Sequence, residues 1–168
     1  MKTKDITYIA LFSAIISILS VISIPTPWGV PFTLQTFSIS LAGFVLGKKY
    51  GTLSTILYLI LGAIGFPVFS GLTGGVSTFV SVTGGFLFGF IFLAFFCGFN
   101  TIFYSIIGLL ICHLLGAIQF SFLTKNSFLV SLTIVSLPYL IKDLLSIFLS
   151  YFLSKKIKNI LYKNNLKL

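Results

Sequence analysis

The chain has 168 residues, of which 57% are hydrophobic and 8% charged, with a mean hydropathy of +1.14. Soluble domains carry roughly a quarter charged residues, so too little charge is present to coat a water-facing surface, and the composition reads as an all-α integral membrane protein. The eleven basic residues are all lysines, set against two aspartates for a net charge of +9; residues 50–124 contain no Lys, Arg, Asp or Glu, which excludes a nucleic-acid-binding face.

A helix crossing a hydrocarbon core of about 30 Å needs about 20 mostly apolar residues, and the chain has room for six such spans. The first covers about residues 6–24. It is too long, and too poorly followed by small residues, for a signal peptide. A second, short segment over residues 33–47 is closed by Lys48 and Lys49, before a third over residues 50–65 that ends at Gly65, Phe66 and Pro67. Residues 68–82, rich in Gly, Ser and Thr, read as a non-helical loop. The fourth and fifth spans cover residues 83–99 and 101–123. A shorter apolar piece, residues 127–137, leads into Pro138, and a final helix over residues 139–154 runs into a lysine-rich tail, 155–168. The whole of residues 1–168 reads as one transmembrane domain. Cys97 and Cys112 both lie in apolar stretches and read as small packing residues rather than a disulfide framework.

Topology follows from the preference of lysine for cytoplasmic loops. Lys2 and Lys4 precede the first span, Lys48 and Lys49 join the second to the third, and Lys155, Lys156, Lys158, Lys163 and Lys167 follow the last. Six spans put all three clusters, and both termini, in the cytoplasm. The uncharged connections at 25–32 and 67–82 then fall outside, with Lys125 the one exception.

Those outer connections are rich in Gly, Pro and aromatic residues and can tuck back into a bundle. Irregular backbone survives at membrane depth only when buried in protein or lining a wet cavity. Gly71, Gly74, Gly75, Gly84 and Gly85 would let backbone approach a ligand closely; the alternative is that they turn the chain or pack helices.

The final helix carries Asp143 about a turn past Pro138, beside Lys142, in an otherwise apolar stretch. Either charge at a helix centre costs about 2.5–3.5 kcal/mol on insertion scales, so such a residue faces the bundle interior and marks a pathway or a site. Adjacent helical residues stand about 100° apart, so the pair is not expected to share a face: one looks inward while the other snorkels. In the functional reading Asp143 accepts N–H donors from a polar ligand head. In the alternative reading both residues anchor the helix at the outer interface.

Val30-Pro31-Phe32-Thr33-Leu34-Gln35-Thr36-Phe37 followed by Ala42-Gly43 resembles the block that enters the second helix of BioY proteins. Tyr58-Leu59, Gly62, Gly65, Pro67-Val68-Phe69, Gly74-Gly75, Thr83-Gly84-Gly85-Phe86-Leu87 and Gly89-Phe90 are similar to further family blocks in the same order, as are Pro138 and Asp143. No single block is specific, but the ordered set, from about Pro25 to Asp143, is. The resemblance implies a six-transmembrane-helix bundle of the S-component type, the substrate-binding subunit of an energy-coupling-factor vitamin importer, with outer loops folding over a ligand pocket. It implies biotin as ligand, a transmembrane T component and two cytoplasmic ATPases as partners, and the plasma membrane as location. Within that implication Asp143 accepts the ureido N–H groups, and Gln35 or Thr83 serves the ureido carbonyl. Phe32, Phe69, Phe86 or Tyr139 covers the ring faces, while Gly74, Gly75 and Gly84 let the loops close in. Two departures stand out. Ser146 occupies a position where the family usually has a lysine three residues after the aspartate, so that Lys142 is the candidate substitute for the ligand carboxylate, and Ser81-Val82 stands where Gly-Pro is expected.

Ala10 and Ala14 lie at small-xxx-small spacing on the first helix. By the resemblance they form the docking surface for the T component. No Gly-rich phosphate loop ending in Lys-Ser or Lys-Thr is present, so ATP is expected to be used only by partners, and no cofactor or metal is expected. An enzymatic reading has only His113 to work with, because the sequence has no Glu and no paired carboxylates. The alternatives to biotin capture are an S component or solitary permease for another small vitamin, and a small membrane-embedded enzyme using His113.

Overall fold

The computed structural model describes residues 2–163 of the chain. Helix α1, Thr3–Val21, carries in its first turn Asp5, whose carboxylate accepts the Lys2 backbone N–H at 2.9 Å and the Tyr50 hydroxyl at 3.0 Å. A carboxylate at a helix N-terminus satisfies an orphan donor and complements the helix dipole, so one of the two aspartates is accounted for structurally. After α1 the chain forms a short antiparallel hairpin, β1 (Ser23–Ile24) with β2 (Phe32–Thr33). The first span is therefore shorter at its outer end than residues 6–24, and part of the outer connection pairs its own backbone.

Helix α2, Gln35–Ala63, is two helical legs joined at Gly47, whose φ of +76° and ψ of −180° interrupt the helix. A positive φ is inexpensive only for glycine. The legs, 35–46 and 48–63, fold back on one another: a Cβ on Gly51 would lie 2.7 Å from the Cα of Gly43. Eight residues out from Gly43 on one leg and seven from Gly51 on the other, Gln35 Nε2 donates to the Tyr58 hydroxyl at 2.8 Å, so the legs run antiparallel along their length. Without a hydrophobic drive between helices in lipid, such small-residue contacts are what let two backbones pack closely. Lys48 and Lys49 continue the helix rather than ending it.

The next connection, expected to be a non-helical loop, contains two short 3₁₀ helices, Ser70–Leu72 and Val76–Val80, and no α-helix. Helices α3 (Gly84–Cys97) and α4 (Ile102–Thr124) follow, then α5 (Phe128–Val135) and α6 (Leu137–Lys163). Helices α1, α2, α4 and α6 are long and apolar enough to cross a membrane, and α3 is a shorter apolar helix. With α2 counted as two legs the bundle has six, and α5 is an additional short helix between α4 and α6. Ile18, Phe122, Ile141 and Phe152 are among the exposed large apolar side chains, as expected where a helix faces lipid.

The final helix corrects an expected boundary. It does not stop at Ser154 but runs to Lys163, so residues 155–163 are helical and not an irregular tail; Lys167 lies outside the described residues. Lys155 over the Tyr151 ring at 4.3 Å and Lys158 bonded to Asn100 at 2.7 Å keep that segment packed. The turn after α3 packs against the Gly47–Lys48 backbone, Asp5 meets Tyr50 and Lys158 meets Asn100, so Lys2, Lys4, Lys48, Lys49 and the lysines in the last turns of α6 gather at one end of the bundle. The hairpin, the 3₁₀ turns and Lys125 gather at the other.

Candidate functional site

At the loop end the connections are stitched to the helices by side chains. Tyr139, in the first turns of α6, bonds the Val30 carbonyl through its hydroxyl and meets Thr26 Oγ1 at 3.1 Å. Lys142, one turn on, donates from Nζ to the Thr33 carbonyl at 3.0 Å. Gln119 of α4 donates from Nε2 to the carbonyls of Phe79 and Ser81, at 2.7 and 2.8 Å. The Gly75 N–H reaches the Gly62 carbonyl at 2.7 Å. Both outer loops are thus held down over the bundle by bonds that satisfy irregular backbone where water is scarce.

Beneath them lies a small chamber of about 40 Å³, which opens toward a wider outer cleft of about 740 Å³. The two share Pro31, Ser70, Thr78 and Thr83 as a common wall. Of the sequence-predicted ligand residues, Asp143, Gln35, Thr83, Tyr139, Phe69, Phe86 and Lys142 line the chamber. Gly74 lines the outer cleft. Phe32, Gly75 and Gly84 line neither. Phe32 stacks behind Tyr139 with ring centroids 4.5 Å apart. Gly84 is pressed against the Phe79 carbonyl and Gln119, and Gly85 against α4, where a Cβ would lie 2.9 Å from the Cα of Gly116. These two glycines act in packing the loop and α3 against α4.

The polar centre of the chamber is Asp143, 5% exposed. Its Oδ1 lies 2.5 Å from Lys142 Nζ and its Oδ2 lies 3.3 Å from His113 Nε2. This corrects the expectation that Lys142 and Asp143 serve different surroundings. The angle between adjacent residues fixes where their Cβ atoms point, but the four-carbon stem of lysine carries its ammonium back to the carboxylate and to the Thr33 carbonyl. The side chain keeps 30% exposure on the way. Ser146, one turn beyond, turns its hydroxyl to the Lys142 carbonyl at 2.9 Å.

Gln35 lines the same chamber. Its Oε1 accepts the Thr33 hydroxyl at 3.0 Å and its Nε2 donates to Tyr58, so one amide N–H remains for the chamber. Phe69 is fully buried between the Tyr58 and Phe79 rings, with centroids 5.4 and 5.6 Å away, both edge to face. Thr83 and Ser81 share a hydroxyl contact of 2.9 Å.

His113 is the chamber residue that the sequence did not assign to the ligand site, offering it only as a lone enzymatic group. It is 4% exposed, lines the chamber, stands edge-on to Phe86 at 5.8 Å and leaves Nδ1 without a hydrogen-bond partner. The signal was present, since a titratable residue inside a span is expected to have a partner. What the sequence lacked was the pairing of α4 with α6.

The BioY family profile matches residues 1–163. The chain belongs to the BioY family. A probable biotin transporter BioY from Pyrococcus horikoshii is 42% identical over 120 residues, 69% of this chain and 74% of that protein. The biotin transporter BioY of Thermotoga maritima is 52% identical over 88 residues, 52% of each chain, so the matched stretch spans about half of that relative. Among solved structures, the S-component for biotin from an ECF-type ABC transporter superposes with a TM-score of 0.85, 31% identity and coverage of 95% of both chains. This BioY-family chain is therefore a multi-pass membrane protein with the S-component fold. Its relatives are transporters by name rather than enzymes, and His113 is tied to Asp143 instead of to a second acid or a nucleophile.

Proposed function

We propose that this chain captures biotin at the loop end of the bundle as the substrate-binding S component of an energy-coupling-factor importer. The observation that carries the reading is the buried Asp143 carboxylate, paired with the part-exposed Lys142, in the chamber under the outer loops. A polar site of this kind in a span is expensive and is kept where a polar ligand uses it. Biotin suits it chemically: the compact bicycle is partly apolar, the ureido group offers two N–H donors and one strong acceptor, and the valerate ends in a carboxylate. Asp143 accepts the N–H groups with the lone pairs left over by Lys142 and His113. The remaining Gln35 N–H or the Thr83 hydroxyl serves the carbonyl, and Phe69, Phe86 and Tyr139 cover the ring faces. Lys142, exposed along part of its length, attracts the carboxylate.

The chamber of about 40 Å³ is far below the roughly 300–1,000 Å³ of ligand pockets, whereas the outer cleft falls within that range. Entry therefore requires the loops over the chamber to part and Phe69 or Phe86 to move, with the tethers at Tyr139, Lys142 and Gln119 as the contacts to be broken and remade.

The partners are a transmembrane T component and two ATPases, which alone use ATP, and the chain itself needs no cofactor. Ala10 and Ala14 both face outward on α1, which suits docking of a partner helix. The lysine-rich end faces the cytoplasm of a plasma-membrane protein. Titration calorimetry of the purified protein with biotin tests the reading. Tight binding by the wild type that is lost in Asp143→Ala is expected, and unchanged affinity in the variant contradicts the role given to the carboxylate.

A further inference from the structure

We infer that His113 is a positioning residue of the binding site, fixing the Asp143 carboxylate so that its remaining lone pairs meet the ligand in one orientation. This rests on the function proposed above and deepens it. An ionised carboxylate has about four lone-pair directions on two oxygens and, held only by Lys142, would be free to rotate about its last torsion and to follow the flexible ammonium. The structure supplies a second, stiffer anchor. His113 Nε2 stands 3.3 Å from Oδ2, on the oxygen that Lys142 does not hold, and comes from a different helix. The imidazole is itself held, 4% exposed, with the Phe86 ring edge-on at 90°. The carboxylate thus has the Lys142 ammonium in ionic contact at Oδ1, an oxygen with no hydrogen bond of its own, while the imidazole of α4 stands at Oδ2. His113 lines the same chamber as the carboxylate it holds, so it acts where the ligand arrives rather than at a distant packing contact. A histidine serving only to pack two helices would not need its Nε2 on a buried carboxylate, and a leucine there would avoid the buried, partnerless Nδ1.

The test uses the full chain in detergent, with biotin titrated calorimetrically into the wild type and His113→Gln, His113→Asn and His113→Leu, and thermal unfolding recorded for each. Glutamine places an amide N–H near the position of Nε2, whereas asparagine is too short and leucine has no donor. The inference expects His113→Asn and His113→Leu to weaken biotin binding about ten- to a hundredfold, the range for losing a hydrogen bond to a charged group, and His113→Gln to stay within about threefold of wild type. In an Asp143→Asn background the His113 substitutions should have little further effect, because the action runs through the carboxylate. Wild-type affinity in His113→Leu overturns the inference, as does a loss in His113→Gln equal to that in His113→Leu. Should His113→Leu not fold, the glutamine and asparagine variants decide in the same way. Failure of the wild type to bind biotin is a separate result, which removes the proposed ligand itself.

Discussion

Lys142 and Asp143 are neighbours in sequence and partners in space, with Nζ 2.5 Å from Oδ1, although their Cβ atoms leave the helix about 100° apart. The lysine ammonium also holds the Thr33 carbonyl at 3.0 Å, so the same cation balances the buried charge and fastens the outer hairpin. Removing either partner acts on both the chamber and the loop above it.

Asp143→Asn should therefore do more than remove a ligand contact. It leaves Lys142 without its counter-charge and His113 Nε2 without a charged acceptor. Breaking a buried pair from one side costs about 3–5 kcal/mol when both groups are fully buried, and less here because Lys142 is partly exposed. We expect biotin affinity to fall by at least about a hundredfold, equivalent to about 3 kcal/mol, with a smaller loss of thermal stability. Calorimetry and a melting curve on the same preparation measure the two effects separately.

Lys142→Met keeps the stem and removes the charge. If the ammonium attracts the ligand carboxylate, the wild type should prefer biotin over its methyl ester by about tenfold or more, the scale of a charge-assisted hydrogen bond, and Lys142→Met should bind the two nearly equally. A preference that survives the substitution would assign the carboxylate to other groups. The comparison of acid with ester is insensitive to any general loss of stability, because both ligands meet the same protein.

Tyr139→Phe removes the hydroxyl that ties α6 to Val30 and Thr26 while leaving the ring against Phe32. Losing one neutral hydrogen-bonding group costs about 0.5–1.5 kcal/mol. The effect should appear in the dissociation rate, raised about three- to tenfold, because the tether holds a loop over the chamber rather than the ligand itself. Stopped-flow displacement of bound biotin reads it directly; an unchanged rate would show that the hairpin does not gate the exit.

The lysine clusters, the apolar lengths and the cost of an aspartate in a span made the bundle and the place of Asp143 in its interior legible from the sequence. What the sequence withheld depended on contacts between distant segments. The boundary of two spans at Gly47 was legible from Lys48 and Lys49, but not that these lysines already belong to the second leg. A hairpin of two residues a side, Ser23–Ile24 with Phe32–Thr33, has too few positions to show an alternating pattern. His113 had no visible partner until α4 lay beside α6, and the helical angle between Lys142 and Asp143 described the backbone correctly but not the reach of a lysine. Gly84 and Gly85, which suggested close approach to a ligand, instead make room for the loop and for α4.

Gly62 links the fold to the chamber by shape alone. A Cβ there would collide with the ring of Phe69, a fully buried side chain that lines the site and packs on Tyr58 and Phe79. Gly62→Ala should force that ring inward or strain its neighbours at about 1–3 kcal/mol, the usual cost of overpacking. Because Phe69 lines the chamber, the expected outcome is weakened biotin binding, with partial recovery in the double variant Gly62→Ala, Phe69→Leu, which restores volume. Recovery of affinity, rather than of stability alone, is the decisive measurement.

Ala10 and Ala14 are both exposed on α1, whereas Ile9, Phe12, Ser13 and Ile16 form its buried face. Enlarging the alanines therefore leaves the bundle interior untouched. Ala10→Leu with Ala14→Leu should melt within about 0.5 kcal/mol of wild type, as for surface changes generally, and should bind biotin with unchanged affinity. A partner helix that packs on this face needs small residues to bring backbones together, so the same double variant should no longer copurify with a coexpressed T component or support ATP-dependent uptake. Intact assembly in the double variant would move the docking surface to another face. Loss of biotin binding would mean that this side of α1 contributes to the chamber.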